Sequence, residues 1–138
     1  MTAKSYLMQV RKARVKIEQM KRELTELRAA SGIPVQPDGE RVLSSPAQGG
    51  CADIAVRIVQ LEHELEHRLV EFYELRSRIV EMIHNIGSYQ SIDILYRRYV
   101  QGESFEEIAV AIGYTWRHTL RLHGEALRAF QEVLNKMS

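Results

Sequence analysis

The chain has 138 residues, of which 45% are hydrophobic and 27% charged, a balance that excludes a disordered chain and fits one ordinary domain or two very small ones. No stretch approaches the ~20 apolar residues of a membrane-spanning helix, and a single cysteine, Cys51, excludes an internal disulfide and a thiolate-only zinc site. The formal net charge of +1 conceals an asymmetry: eight Lys/Arg stand against three Glu through Ser31, four against seven acidic residues from Asp53 to Gly87, and six against six from Ser88 onward.

Aromatics at 7% are too few for a rich all-β core, so an all-α protein is expected. Lys4 is not followed by an apolar stretch, so no secretory signal is read and a cytoplasmic setting is expected. Tyr6, Val10, Ala13, Ile17, Met20, Leu24 and Leu27 follow each other at steps of 4, 3, 4, 3, 4 and 3. That is a coiled-coil seam on a helix from near Thr2 to about Ser31, where Gly32 and Pro34 stop it.

Residues 32–52 carry Gly32, Pro34, Pro37, Gly39, Pro46, Gly49 and Gly50 without helical period. Two antiparallel helices need only ~2–8 linking residues. This longer connector is therefore read as a flexible spacer or a binding loop, with Arg41, Val42, Leu43, Ser44 and Ser45 as its one ordered piece.

A second seam runs through Ile54, Ile58, Leu61, Leu65, Arg68, Phe72, Leu75, Ile79, Met82 and Ile86, broken only by Arg68, with Asp53 as N-cap. The basic first helix and the acidic second invite pairing, so a coiled-coil helical hairpin is expected over residues 1–87. One register sets Leu24 opposite Leu61, Met20 opposite Leu65 and Ala13 opposite Phe72. It brings Lys21 near Glu62 and Lys16 near Glu71, and it sets Glu23 unfavourably near Glu64. Pairing between copies is the alternative. Leu69, Val80 and Ile83 lie off the seam and point to a further apolar face, consistent with a homodimer or higher homo-oligomer.

Within this helix, His63-Glu64-Leu65-Glu66-His67 fits the zinc pattern H-E-x-x-H. Its two histidines fall at outer heptad positions, and no nearby segment supplies the third ligand that a zinc enzyme needs. They read as a solvated face. No nucleophile triad or phosphate-binding Gly-rich loop occurs, so neither an enzyme nor a cofactor is expected.

Residues 88–138 carry the informative motif. Counted from Phe105, apolar residues are wanted at the fourth, eighth, tenth, fifteenth and eighteenth places of a helix-turn-helix. Here these are Ile108, Ile112, Tyr114, Thr119 and Leu122, with Thr119 a half-fit. Ala109 is small where the second helix crosses, and Gly113 can turn the chain left-handed. Ser104 with Glu107 forms a capping box, and Thr115 caps the second helix.

The stretch ILYRRYVQGESFEEIAVAIGYTWRHTLRLHGEALRAF resembles region 4 of sigma-70 factors through Leu95, Arg98, Tyr99, Gly102, Ser104–Ala109, Gly113, Thr115, Ala126, Leu127 and Phe130. The order of the whole chain is similar to that of the RinA and ArpU-like regulators of phages and prophages. It has a basic helix, a Val-x-Ser-Ser loop, a long helix, and Gly113-Tyr114-Thr115 followed by Arg121-Leu122-His123-Gly124. That resemblance implies a phage-encoded activator of late genes in a bacterial host cell, bound to double-stranded DNA, with RNA polymerase as a further partner. The promoter-melting segments of sigma factors have no counterpart in these 138 residues. A small-terminase-like DNA-packaging component and a structural coiled-coil adaptor are the alternatives.

A recognition helix places its first turns in the major groove. Thr119, Leu122, Ala126 and Phe130 form the expected core stripe, which leaves Thr115, Trp116, Arg117, His118, Leu120 and Arg121 as DNA-binding candidates. Arg117 and Arg121 can pair bidentately with guanine, and Thr115 can hold a phosphate at the helix start. Trp116 reads chiefly as packing. Arg97 and Arg98 are secondary phosphate candidates, with Glu106 or Glu107 as rival partners for Arg98. His123 reads as structural, with Gly124 marking close packing behind it.

Overall fold

The computed structural model describes residues 1–32 and 50–137. They are all-α, with no strand among the described residues: α1 (Ala3–Ala30), α2 (Gly50–His84), α3 (Tyr89–Leu95), α4 (Phe105–Ile112) and α5 (Trp116–Met137). A π turn, Tyr96–Val100, continues α3. Gly32 follows the end of α1 with φ 69°, the left-handed conformation glycine adopts without strain. Most of the expected connector, including Arg41–Ser45, lies outside the described residues. α2 begins at Gly50, so Asp53 sits inside its first turn and is not its N-cap. There its carboxylate still faces the positive end of the helix dipole. No described helix is long and apolar enough to cross a membrane.

The chain divides into two compact units, one of Met1–Arg14 with Phe72–Ser138 and one of Val15–Glu71. The boundary expected at 87/88 falls inside the larger unit. In the smaller unit, Ile17, Met20 and Leu24 of α1 and Ile58, Leu61 and Leu65 of α2 are buried, as their seam spacing predicts. Arg68 turns back to Glu64 on its own helix at 3.3 Å.

The ionic contacts differ from those expected. Glu62 takes Arg28 at 2.8 Å instead of Lys21, which pairs with Glu18 at 3.8 Å. Arg28 occupies the same flank as Lys21 one heptad later, and its longer planar guanidinium makes the bridge. Glu71 pairs with His67 at 3.1 Å, not with Lys16. Glu23 finds Arg57 at 3.3 Å while Glu64 finds Arg68, so each carboxylate of the expected repulsion has a cation of its own.

The larger unit is built around Leu7, Val10, Ile79, Ile83, Ile94, Leu95, Tyr99, Val100, Ile108 and Phe130. Here the buried line of α1 runs Ala3, Leu7, Val10, while Tyr6 and Ala13 are half-buried. Of the three residues expected to form a further apolar face, Ile83 is fully buried and Val80 half-buried in this unit, and Leu69 is half-buried in the smaller one. The chain start is tied to α5, where the Ala3 N–H donates to Gln131 Oε1 at 2.7 Å and the Tyr6 ring lies 6.2 Å from that of Phe130.

Two of the N-terminal cations serve the backbone. Arg11 donates to the Arg98 carbonyl at 3.3 Å, and Arg14 donates to the carbonyls of Val100 and Gln101. These carbonyls end the α3–π segment, where a helix runs out of internal donors. The π turn is closed by the Gln101 N–H donating to Tyr96 O at 3.0 Å. It matters for packing, because the buried residues recur five apart, Ile94 with Tyr99 and Leu95 with Val100. An α-helix would carry residues five apart toward opposite faces.

Candidate nucleic-acid interface

α4 starts where Ser104 is extended and its side chain accepts the Glu107 N–H at 3.1 Å. It ends at Gly113, with φ 76° and ψ 27°. The N–H groups of Gly113 and Tyr114 both donate to the Ala109 carbonyl, at 3.0 and 3.1 Å. Ile108 and Ala109 are buried. The chain then needs only Thr115 to begin α5, and the Thr115 hydroxyl accepts the His118 N–H at 3.1 Å. Thr119, a polar half-fit by sequence, is fully buried because its hydroxyl donates to Thr115 O at 2.8 Å.

Two expected core positions are corrected. Tyr114 is 46% exposed and packs its ring against His118, with centroids 4.7 Å apart. The buried line of α5 is Thr119, His123, Ala126 and Phe130, with Leu122 only half-buried. Steps of 4, 3 and 4 keep that line on one face, and His123 continues it better than Leu122.

The remaining face of the first two turns carries the six candidates. Thr115, Trp116, Arg117 and Arg121 are exposed, and His118 and Leu120 are half-buried. Trp116 keeps 52% of its surface exposed, more than a packing role requires. Arg121 Nη2 lies 2.7 Å from His118 Nδ1. A guanidinium cannot accept, so Nδ1 is the acceptor and the imidazole carries its proton on Nε2. His118, held between Tyr114 and Arg121, thus has one N–H left to offer. Among the described residues no carboxylate lies within ion-pair distance of Arg117 or Arg121.

Arg97 and Arg98, by contrast, are engaged within the fold. Arg97 bridges Asp93 at 3.0 Å and Glu103 at 3.4 Å, and the Asp93 hydrogen bond and charge raise its pKa above the ordinary value. Arg98 lies over the Phe105 ring at 4.1 Å and donates to the Glu103 carbonyl at 3.1 Å, not to Glu106 or Glu107. Burial, then Arg11, lower its pKa.

Sequence reasoning did not foresee the pair beneath this face. His123 Nε2 is 2.8 Å from the Tyr99 hydroxyl, and the Phe105 ring makes a T-shaped contact with the imidazole, centroids 4.8 Å apart. Burial, with Arg98 and Lys4 adding to it, lowers the His123 pKa to about 4, so the ring is neutral at pH 7. Gly124 does not mark close packing. A Cβ there would meet only the tip of Arg128, 4.0 Å away. His63 and His67 are both exposed, and no group of three or more His, Cys, Asp and Glu among the described residues is placed to hold a metal ion.

Comparison with protein-family models, curated proteins and solved structures finds no match for this chain.

Proposed function

We propose that this chain is a phage-encoded, sequence-specific DNA-binding transcription regulator of the late-gene activator type. In this reading α4, the Gly113 turn and α5 are a sigma region 4-like helix-turn-helix, and α5 enters the major groove from Thr115 onward. One observation carries it. Arg117 and Arg121 stand exposed in the first two turns of α5, off its buried line and without a carboxylate partner among the described residues. Arginine in that position reads guanine through a bidentate pair. Thr115 and the N–H groups of the first turn suit a phosphate.

The helical stretches of the smaller unit, residues 15–30 and 50–71, take a different part, as a coiled-coil hairpin. The flank contacts support an antiparallel arrangement. Glu23 and Arg57 each precede an inner seam position, and Arg28 and Glu62 each follow one. Like flanks meet when paired helices run antiparallel, whereas in parallel pairs a preceding flank meets a following one. Residues from Ser88 onward balance six cations with six anions. One copy therefore brings few phosphate contacts, and a homo-oligomer multiplies them. Contact with RNA polymerase rests on the family resemblance alone.

Footprinting on fragments of the DNA that encodes the chain tests this reading. One protected site that survives competition with bulk DNA is expected. Uniform weak protection of every fragment would contradict it.

A further inference from the structure

Tyr114, His118 and Arg121 follow at steps of 4 and 3, which sets them on one stripe leading from the Gly113 turn into α5. The Tyr114 ring makes a T-shaped contact with the imidazole, centroids 4.7 Å apart. The imidazole in turn accepts from Arg121 Nη2 on Nδ1 at 2.7 Å. The backbone N–H of His118 is fixed by the Thr115 hydroxyl at 3.1 Å. These contacts form a chain that starts at the helix cap and ends on a guanidinium.

Arg121 has another partner within helical reach. Glu125 lies four residues on, toward the C-terminus, yet the two are not within ion-pair distance. A cation four residues before a glutamate is the less favourable order on a helix, and helical side chains lean toward the N-terminus. The guanidinium is therefore held toward the first turn of α5, the end that a recognition helix sets in the major groove.

The tether leaves Arg121 able to read a base. A guanidinium has five N–H donors and two edges on which a pair of them lies side by side. Nη2 contributes one hydrogen to each edge. Donating one of them to Nδ1 occupies one edge and leaves the other whole, matched to the O6 and N7 acceptors of guanine.

We propose that His118 is the positioning residue of Arg121: its Nδ1 holds the guanidinium with one bidentate edge presented to a guanine, so that the two residues specify one base pair as a unit. This deepens the reading of α5 as the DNA-recognition helix and rests on it.

Anisotropy titrations of the full chain on the footprinted duplex and on a scrambled one test it, the ratio of the two affinities being the discrimination. Circular dichroism checks each variant for wild-type helix content. Arg121→Ala should lower discrimination about tenfold, through loss of one bidentate pair. His118→Ala should lower it about two- to tenfold, because a long side chain is then left to be ordered on binding. With Arg121 already replaced by alanine, the same change should alter it less than about twofold, since the histidine acts through the arginine. Asparagine places its amide oxygen where Nδ1 lies, and glutamine places its amide where Nε2 lies. His118→Asn should therefore keep wild-type discrimination and His118→Gln should lose it, the reverse of their helix propensities. Equal losses from His118→Ala in both Arg121 backgrounds would overturn the proposal and make His118 a direct contact. It is also overturned if glutamine outperforms asparagine, or if either single alanine variant discriminates like the wild type, and the reading of α5 then stands without it. A wild type that does not discriminate between the duplexes would overturn both.

Discussion

Replacing His123 by Gln removes a titrating group from the core while keeping a side-chain hydrogen-bonding partner for the Tyr99 hydroxyl. In the folded chain the His123 pKa is about 4, against an ordinary 6.5. Between those values the unfolded chain binds more protons than the folded one. Folding stability therefore rises with pH across that window, is complete above pH 6.5, and is lost as pH falls toward 4. The gap between the two values is worth at most ~3–4 kcal/mol at ~1.4 kcal/mol per pH unit. That is a large share of a domain whose total stability is ~5–15 kcal/mol. Urea titrations of wild type and His123→Gln at pH 7.5, 5.5 and 4.5 measure it. Carboxylate titrations occur in both proteins and cancel in the difference. The wild type should lose up to ~3 kcal/mol more than the variant between the first and last pH. Parallel stability curves would refute the claim that a neutral imidazole is buried there.

Two glycines should respond in opposite directions to alanine. Gly124→Ala, inside α5 with open space around the new methyl, should stabilise the protein by ~0.5–1 kcal/mol, and Gly113→Ala, at φ 76°, should destabilise it by ~1–2 kcal/mol, both read by thermal unfolding. Arg14→Met should cost ~1.5–3 kcal/mol in urea unfolding, because it removes a charged donor from the Val100 and Gln101 carbonyls. A loss below ~0.5 kcal/mol would show those carbonyls to be satisfied otherwise.

Much of the local structure was legible because it rests on short-range chemistry. Ser104, Gly113 and Thr115 act as the cap, turn and cap that their spacing predicts, and the seams of the smaller unit bury Ile17, Met20, Leu24, Ile58, Leu61 and Leu65, with Leu27 and Ile54 half-buried. Long-range partners were not legible. The spacing of Arg11 and Arg14 shows two cations on a helix but not the carbonyls 87 residues away that receive them. Tyr99 and His123 each read as motif residues, and only the π turn and the crossing of α5 make them a pair. Lys21 and Arg28 lie on the same flank, so periodicity alone could not choose between them for Glu62. On the candidate interface, Leu122 and His123 compete for the core stripe with nearly equal helical phase. The structure resolves that competition in favour of the histidine, because Tyr99 supplies the hydrogen bond its burial needs.

Gel-shift titration of wild type and Arg117→Ala on the footprinted site and on a scrambled duplex, at two salt concentrations, shows whether α5 reads base edges. The reading helix predicts that the variant stays folded, loses ~1–3 kcal/mol on the specific site and relaxes discrimination at one base position. A loss equal on both duplexes, with a salt slope lower by about one, would make Arg117 a phosphate contact. Wild-type binding by a folded Arg117→Ala, Arg121→Ala double variant would contradict the assignment of α5 as the helix that reads DNA.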